Sequence, residues 1–538
     1  MQDIRPPASP TLRRRSGRAC NFGVKVVESD SEKPHVEHLL ASSGWIVLGA
    51  VVCLLLARGI YEGLIQKTST LQKNFPLLAH FRYWLEEIGA PLRQYIVSSD
   101  TEERPYNRNT RSWIYASAKG ETNVIGFGSE VDHNAPGTIH ILPSLFPICP
   151  VDSTSDDHAR PALIGARRRH PYQPRSFFNI SGMSFGSLSA NAVQALSQGA
   201  KLGGLYMSTG EGGLSPYHEQ GGADLVFQVG PAKFAIRNEA GEFDEERLRK
   251  LSAKPQVKMI EIKLAQGAKP GKGGVLPKAK ITAEIAAIRG IPMGIDCHSP
   301  NSHVEFNDTD SLLRFVERIQ EITGKPTGLK LVGGAKSQAD DLARRIAETG
   351  ICPDFIIVDG SEGGSGAAPL ALADYVGLPL RDGLTQMDNS LRRYGVRREL
   401  ALIGSGKLAT GGDVVQAMAL GADMVNIARG FLLSMGCIQA MKCQTNHCPT
   451  GIATQSAYLQ RGLDPTLKSH RVANYAGTLR KDLFMILHSC GLTHPNQLTR
   501  DHLRMVVAPG QARNLGDLYP YPDQVGGIQP PVKRQRSA

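Results

Sequence analysis

Cysteine is scarce in this chain, with nine residues in 538. Six of them are scattered, too thinly for the stapled framework of a small secreted domain. Aromatic residues are also few, at 6%, and no basic stretch is interleaved with them. The pattern of a nucleic-acid surface is therefore missing. Much of the net charge of +11 lies at the two ends, in TLRRRSGRAC and PVKRQRSA, which read as solvated or membrane-facing tails. Long apolar runs are missing too, with one exception. Residues 39–57, LLASSGWIVLGAVVCLLLA, carry no charge. As a helix they extend about 28 Å, close to the hydrocarbon thickness of a bilayer. This predicts a single membrane span, with Trp45 and Arg58 near the interfaces. A signal peptide is the competing reading, but the arginines lie far upstream of the run and no small-residue cleavage site stands out. Lys25 and Lys33 precede the segment, and Arg58, Lys67 and Lys73 follow it. That count places the large C-terminal part on the cytoplasmic side of the cytoplasmic membrane, although Arg13, Arg14 and Arg15 argue the other way.

What is abundant is glycine (57) and proline (33), in a chain that is 41% hydrophobic and 21% charged. This is the composition of a large soluble body with many tight turns. Residues 1–38 are polar and basic and read as disordered. Residues 58–175 read as a helical and irregular extension packing on the main body. Within it FRYWLEEIGAPLRQYI has apolar residues at helical spacing, broken by Pro91. From about 176 short apolar runs recur, each ending in Gly, Ser or Pro: FFNISGMSFG, GLYMSTGEGG, MIEIKLAQG, MGIDCHSP, GLKLVGG, FIIVDGSEGG, LALIGSGK and MVNIARG. Helical patterns such as SANAVQALSQGAKL and QADDLARRIAETG alternate with them. Eight strands alternating with helices predict an α/β fold, a (β/α)8 TIM barrel over 176–460, with an open doubly wound sheet as the structural alternative. A C-terminal helical region and the basic tail would fill 461–538.

In such a barrel the active site lies at the carboxyl ends of the strands. Those ends carry short polar residues, among them Ser181, Ser184, Thr209, Glu211, Lys263, Gln266, Lys330, Lys407 and Arg429. In LIGSGKLATGGDVV and MVNIARG, Gly404 and Gly406 let backbone amides approach a phosphate, and the helix starting near Gly411 can point its N-terminus inward. Ordinary tight turns explain each glycine pair alone; together on the last two strands they read as a phosphate site, of a cofactor or a substrate. The loop GSEGGSGAAP allows close approach of backbone to a flat ligand, or serves as a flexible lid. In EIKLAQGAKPGKGG, a lysine beside a flavin ring stabilises its anionic reduced form, and a lysine equally clamps a carboxylate. Glu211, among glycines in STGEGG, can accept a proton, hydrogen-bond an ammonium or imine, or simply be solvated.

The remaining three cysteines are clustered: Cys437, Cys443 and Cys448, spaced C-x5-C-x4-C. Zinc sites show paired C-x2-4-C knuckles, and no second knuckle is present; His447 adjoins Cys448 and is cramped as a fourth ligand. An iron–sulfur cube needs one thiolate per iron, so three thiolates suit a cube lacking one corner, a 3Fe–4S cluster. Three buried structural cysteines remain the alternative.

SGMSFGSLS, STGEGG, EIKLAQGAKPGKGG, DGSEGGSGAAP, GSGKLATGGDV and GCIQAMKCQTNHCPTGIATQ occur in one order. Together they resemble the FMN-binding synthase domain of glutamate synthase, over about residues 176–460. The upstream NFPLLAHFRYWLEEIGAPLRQYIVSSDTEERPYNR looks like that of short, membrane-anchored, stand-alone members. The resemblance implies that Ser181, Met183, Ser184 and Thr209 line an FMN. It implies that Lys330, Gly364, Gly366, Gly404, Gly406, Lys407 and Arg429 surround its ring and phosphate. Glu211, Lys263, Gln266 and Lys269 would meet 2-oxoglutarate or its imine, and Cys437, Cys443 and Cys448 would hold a 3Fe–4S cluster. The implied reaction reduces 2-iminoglutarate, made from 2-oxoglutarate and ammonia, to L-glutamate. The chain begins MQDIRPP where full synthases carry a glutaminase with an N-terminal cysteine, and no NADPH-binding domain is visible. A separate ammonia source and a separate electron donor, a ferredoxin or a reductase subunit, are therefore expected. Two further readings are a methylamine–glutamate N-methyltransferase-like flavoenzyme and a membrane-tethered electron-transfer flavoprotein without catalysis.

Overall fold

The computed structural model describes residues 33–122, 124–148 and 159–523, with side chains from Trp45 onward. Most of the 1–38 stretch and the basic C-terminal tail lie outside the described residues. The chain divides into two compact units, Met1–Val97 and Ser98–Ala538.

In the first unit a helix runs from Lys33 to Ile60 and ends in a π-helical turn, Tyr61–Ile65. The stretch Trp45–Ile65, with mean hydropathy 1.8, is the one helix among the described residues long and apolar enough to cross a membrane. A short helix, Thr70–Asn74, leads to a longer one, Leu78–Leu92. Pro91 does not break that helix, contrary to the sequence expectation. Proline offers no N–H to the preceding turn, and the helix accommodates it by widening into a π turn at Arg93–Val97.

The second unit is built on a closed barrel of eight parallel strands. They are β1 Phe178–Ile180, β2 Tyr206–Ser208, β3 Asp224–Val229, β4 Val257–Lys263, β5 Thr327–Val332, β6 Phe355–Asp359, β7 Ala401–Ser405 and β8 Met424–Ile427. Each pairs with its sequence neighbour, and β8 closes on β1 through Val425↔Phe178 and Asn426↔Asn179. One sequence-predicted strand was misplaced. MGIDCHSP supplies only Cys297–His298, paired antiparallel with Val275–Leu276 in the long connection after β4. The third barrel strand is DLVFQV instead. Its residues after Asp224 are buried, whereas Met293 and Ile295 face solvent; a barrel strand covered on both sides cannot leave such residues exposed.

Strand alternation sorts the barrel. Outward residues such as Phe178, Leu225, Ile260, Val358 and Leu402 join the main core under the helices. Inward residues Tyr206, Val226, Met259, Phe355, Ile357, Ile403 and Met424 form a separate apolar plug with Ile164 and Tyr172, which bridge to each other. Two residues farther along the same strands the inward positions turn polar: Ser208, Gln228, Glu261, Asp359, Ser405 and Asn426. The barrel therefore has an apolar floor and a polar mouth.

Residues beyond 460 complete the barrel's outer layer. Helix Pro465–Ser489 packs against helices Ala190–Gly203, Arg108–Lys119 and Gly411–Ala419. Tyr475, fully buried, donates from its hydroxyl to the Ala409 carbonyl at 2.5 Å and meets Trp113 and Phe431 edge-on. Helix contact is closest at Gly199, where an added Cβ would lie 2.5 Å from Val472 Cβ and 2.8 Å from the Ser469 carbonyl. In a free helix Gly→Ala gains about 0.5–1 kcal/mol, but overpacking costs roughly 1–3 kcal/mol. Overpacking wins here, so Gly199→Ala lowers the unfolding temperature followed by circular dichroism. A rise would show that the two helices are not seated as described.

Candidate active site

The polar mouth is organised by buried charge. Glu261 accepts from Ser208 Oγ at 3.1 Å and from Gln228 Nε2 at 2.5 Å. Lys330, at the end of β5, stands 3.8 Å from Asp359 Oδ2 and donates to Ser181 Oγ at 3.4 Å. Burial disfavours its charge, but Asp359, Glu261 and Glu211 outweigh burial and raise its pKa. Lys330 is thus held toward its charged form at the mouth. Asp359 is fixed in turn by the Gly267 amide at 2.8 Å.

Above this layer a cavity opens. Its wall takes Ser181 and Gly182 after β1, Lys263 and Gln266 at the end of β4, Gly363 and Gly364 after β6, Gly406 and Lys407 after β7, and Arg429 after β8. Tyr106 closes one side. Arg429 donates to the Glu362 carbonyl at 2.5 Å, and its guanidinium lies 5.1 Å over the Tyr106 ring. A Cβ on Gly364 would sit 2.7 Å from Arg429 Cδ and Nε, so only glycine lets that loop lie against the arginine. The helix Gly411–Ala419 contributes less than its position suggested. Thr410 and Asp413 form a capping box, and the Asp413 carboxylate accepts from the Ala409 and Thr410 amides at 2.9 Å. Positive charge for an anion at this corner comes from Lys407 and Arg429 instead.

On the β4 side the acidic and basic residues converge. Glu211 is 2.9 Å from Lys263 Nζ and 3.8 Å from Lys269 Nζ. Lys263 also donates to Gln266 Oε1 at 3.0 Å, and Gln266 Nε2 donates to the Gly364 carbonyl at 2.8 Å. One side-chain chain therefore runs from Glu211 to the glycine loop. Burial opposes the charge on Glu211, but Lys263, Lys269 and Arg289 hold its carboxyl down to about 2. Burial lowers the Lys269 pKa, with Glu211 partly offsetting. Gly274 leaves room for the carboxylate: a Cβ there would be 2.4 Å from Glu211 Oε1.

Of the sequence-predicted residues, Ser181, Lys263, Gln266, Lys330, Gly364, Gly406, Lys407 and Arg429 line the cavity together. Glu211 and Lys269 stand behind Lys263. Met183, Ser184 and Thr209 lie under the wall, where Ser184 Oγ bonds Ser187 Oγ at 3.0 Å and Thr209 Oγ1 accepts from the Gln228 amide at 3.2 Å. Gly210, at φ +67°, brings the two loops together; a Cβ there would be 2.6 Å from the Ser184 amide nitrogen. Gly404 packs outward, its Cα facing Leu384, Ala422 and Val425, and Gly366 faces open space. Lining residues that the sequence does not single out include Gln228, Asp359, Asn426 and Tyr106. Gln228 went with the missed strand, and Asn426 follows from alternation along β8. Tyr106 enters from far upstream, and nothing in its local sequence signals that.

The three clustered cysteines are free thiols on the loop after helix Arg429–Ser434. Burial pushes the Cys437 thiol up to about 11, and Cys443 and Cys448 add to the shift. Gln439, Met441 and Asn446 all have φ near +60°, a strained backbone of the kind held at functional loops. The Gln439 amide donates to Cys437 Sγ at 3.4 Å. Lys280, buried, donates to the carbonyls of Ser187 at 2.5 Å and Cys443 at 3.3 Å, tying the loop to the one after β1. Gln439 also clamps Tyr106, giving Nε2 to its carbonyl at 3.0 Å and taking its amide at 3.1 Å. Among the described residues no group of three or more His, Cys, Asp or Glu stands in metal-holding geometry.

Residues 156–493 match the family model described as a conserved region in glutamate synthase. A glutamate synthase large subunit-like protein of Bacillus subtilis (strain 168) is 39% identical over 489 residues, 84% of this chain and 93% of its own length. An archaeal glutamate synthase (NADPH) of Methanocaldococcus jannaschii is 38% identical over 335 residues, 61% of this chain; the match spans 62% of the archaeal protein. A glutamate synthase large subunit-like protein of Rhizobium meliloti (strain 1021) is 31% identical, over 63% of this chain and 77% of its own. A solved flavocytochrome b2 with sulfite bound overlaps 88% of this chain and 98% of its own at 14% identity and a TM-score of 0.42. By the family match and the extent of identity with the Bacillus relative, the chain belongs to the glutamate synthase family and is a glutamate synthase-like oxidoreductase.

Proposed function

We propose that this chain reduces 2-iminoglutarate, formed from 2-oxoglutarate and ammonia, to L-glutamate, with FMN in the barrel mouth and a 3Fe–4S cluster on Cys437, Cys443 and Cys448. A separate donor, a ferredoxin or a reductase subunit, supplies the electrons, and ammonia comes from a separate source. The apolar helix spans the cytoplasmic membrane once, with the barrel on the cytoplasmic side. The observation that carries the reading is Lys263 at the wall of a cavity that also takes Lys407 and Arg429, with Glu211 and Lys269 paired behind it.

The residues at the mouth suit an FMN, and the cysteine loop carries the number of thiols that an incomplete cube needs. Arg429 and Lys407 provide an anion corner for a phosphate, the glycine loop lies flat because Gly364 carries no side chain, and Lys330 is a cation of the kind that favours an anionic reduced flavin. The three free thiols on one strained loop are the donor set of an incomplete cube. Bound FMN supplies the hydride, and the cluster supplies a one-electron path to it.

The chain's own groups do the rest. Lys263 and Lys269 present two cations to a substrate carboxylate. Glu211, held ionised, accepts an N–H bond from an iminium and cannot donate a proton at neutral pH. Gln266 couples this group to the glycine loop, so a substrate seated on Lys263 is registered against the flavin side.

Purified protein supplied with 2-oxoglutarate, ammonia and an artificial reductant forms L-glutamate, and failure with a full flavin and iron complement overturns the reading. Glu211→Gln lowers that turnover by about 10²–10³-fold, the range for losing one positioned electrostatic partner, with flavin content unchanged. An effect below threefold would remove Glu211 from the site.

Because burial lowers the Lys269 pKa, its charge is lost at lower pH than an ordinary lysine's. Binding of 2-oxoglutarate, read from flavin absorbance, therefore weakens as pH rises through that value. Lys269→Arg, whose charge persists beyond pH 12, moves this alkaline limb upward; an unmoved limb would place the carboxylate elsewhere. Cys443→Ser lowers iron content while flavin stays bound, and unchanged iron would remove the loop as a cluster site.

A further inference from the structure

The first unit carries a second apolar surface besides its long helix. Viewed down its axis, helix Leu78–Leu92 divides into three faces. Ala79 and His80 turn into the unit, and Tyr83, itself exposed, reaches back to it. Ala79 is buried, His80 Nε2 is 2.5 Å from Glu62 Oε1, and Tyr83 Oη is 3.2 Å from Ser69 Oγ. Arg82 and Glu86 form a charged ridge, paired at 3.0 Å. The third face is Leu78, Phe81, Trp84, Leu85, Ile88 and Leu92. Leu78, Phe81 and Trp84 are 73%, 62% and 54% exposed, and Leu85 and Leu92 are exposed as well.

This face is held at the end of the apolar helix by a fixed turn. Glu62, buried at that end, accepts from Arg58 Nε at 2.9 Å and from the Leu77 amide at 2.9 Å, besides His80. Gln66 closes the turn: its Nε2 donates to the Glu62 and Ser69 carbonyls, and its Oε1 accepts the Thr68 and Ser69 amides. Wherever the residues around Ile60 meet lipid, helix Leu78–Leu92 starts in the adjacent headgroup layer. A stripe of Leu, Ile, Phe and Trp on a helix with a polar opposite face is the composition of one lying at the acyl–headgroup boundary.

We propose that helix Leu78–Leu92 lies in the membrane interface, with its Leu78–Phe81–Trp84–Leu85–Leu92 face against lipid. The proposal rests on the spanning helix of the preceding subsection. The partner is the bilayer itself, because the face continues from the apolar helix through a rigid turn.

The test uses the full chain in nanodiscs of phosphatidylcholine, with and without acyl-brominated lipid, and two single-tryptophan variants. One keeps Trp84 (Trp45→Phe with Trp113→Phe); the other keeps Trp45 (Trp84→Phe with Trp113→Phe). Bound flavin checks that each variant folds. The proposal expects brominated lipid to reduce fluorescence of both by about twofold or more, since an interfacial helix sits roughly 5–10 Å into the boundary. Quenching of Trp45 without Trp84 overturns the interfacial helix while leaving the span. No quenching of either overturns the span and the proposal with it. Should Trp113→Phe prevent folding, Trp84→Phe alone must reduce the lipid-quenched fraction relative to the unaltered chain, and an unchanged fraction rejects the proposal.

Discussion

Glu211 stands between two lysines at the mouth of a barrel, and the site's chemistry follows from how that charge is balanced. A carboxylate so placed keeps its charge across the neutral range, because Lys263 and Lys269 offset the cost of its burial. The same pair keeps two buried ammonium groups near the cavity, and neither could be left there alone at modest cost. In the proposed function a substrate carboxylate would enter a place already arranged for negative charge, with a neighbouring acceptor for a positive nitrogen. An oxo acid in equilibrium with its imine carries both features. This is why the proposed function is a reaction on an imine of an acidic substrate.

The barrel supplies what that arrangement needs. Each inward strand position farther from the floor is more polar, so Glu261, Lys330 and Asp359 form a buried layer in which every charge has a partner. Lys263 and Gln266 rise from that layer, and Gln266 reaches the glycine loop on the far side. The cysteine loop is joined to the same mouth through backbone: Lys280 bridges it to the loop after β1, and Gln439 fastens Tyr106 at the cavity wall. A redox centre on that loop and a flavin in the cavity would share these supports.

Much of this was legible in the sequence, and the parts that were not share a cause. Seven of eight barrel strands were found from apolar runs ending in Gly, Ser or Pro. The eighth, DLVFQV, ends in a glutamine and a valine before Gly230, and its polar Gln228 disguised a strand whose tip points into the site. MGIDCHSP reads as a strand in its place because local composition does not reveal burial. The eight predicted residues that line the cavity were placed by rules of strand ends and glycine loops, which are local. Whereas the Thr410–Asp413 box that caps helix Gly411–Ala419 is a local pattern, Tyr106 depends on tertiary contacts that no window of sequence contains. Helix Pro465–Ser489, beyond the expected barrel boundary, completes its outer layer for the same reason: packing partners far apart in sequence.

The most direct test of the central claim is a single turnover. The protein is reduced under anaerobic conditions, freed of reductant, and mixed with 2-oxoglutarate and ammonia while flavin absorbance is followed. The account predicts that the oxidised flavin spectrum returns and that L-glutamate appears in proportion to the flavin reoxidised, with neither change when 2-oxoglutarate or ammonia is left out. Reduced protein that keeps its spectrum in the presence of both would contradict it.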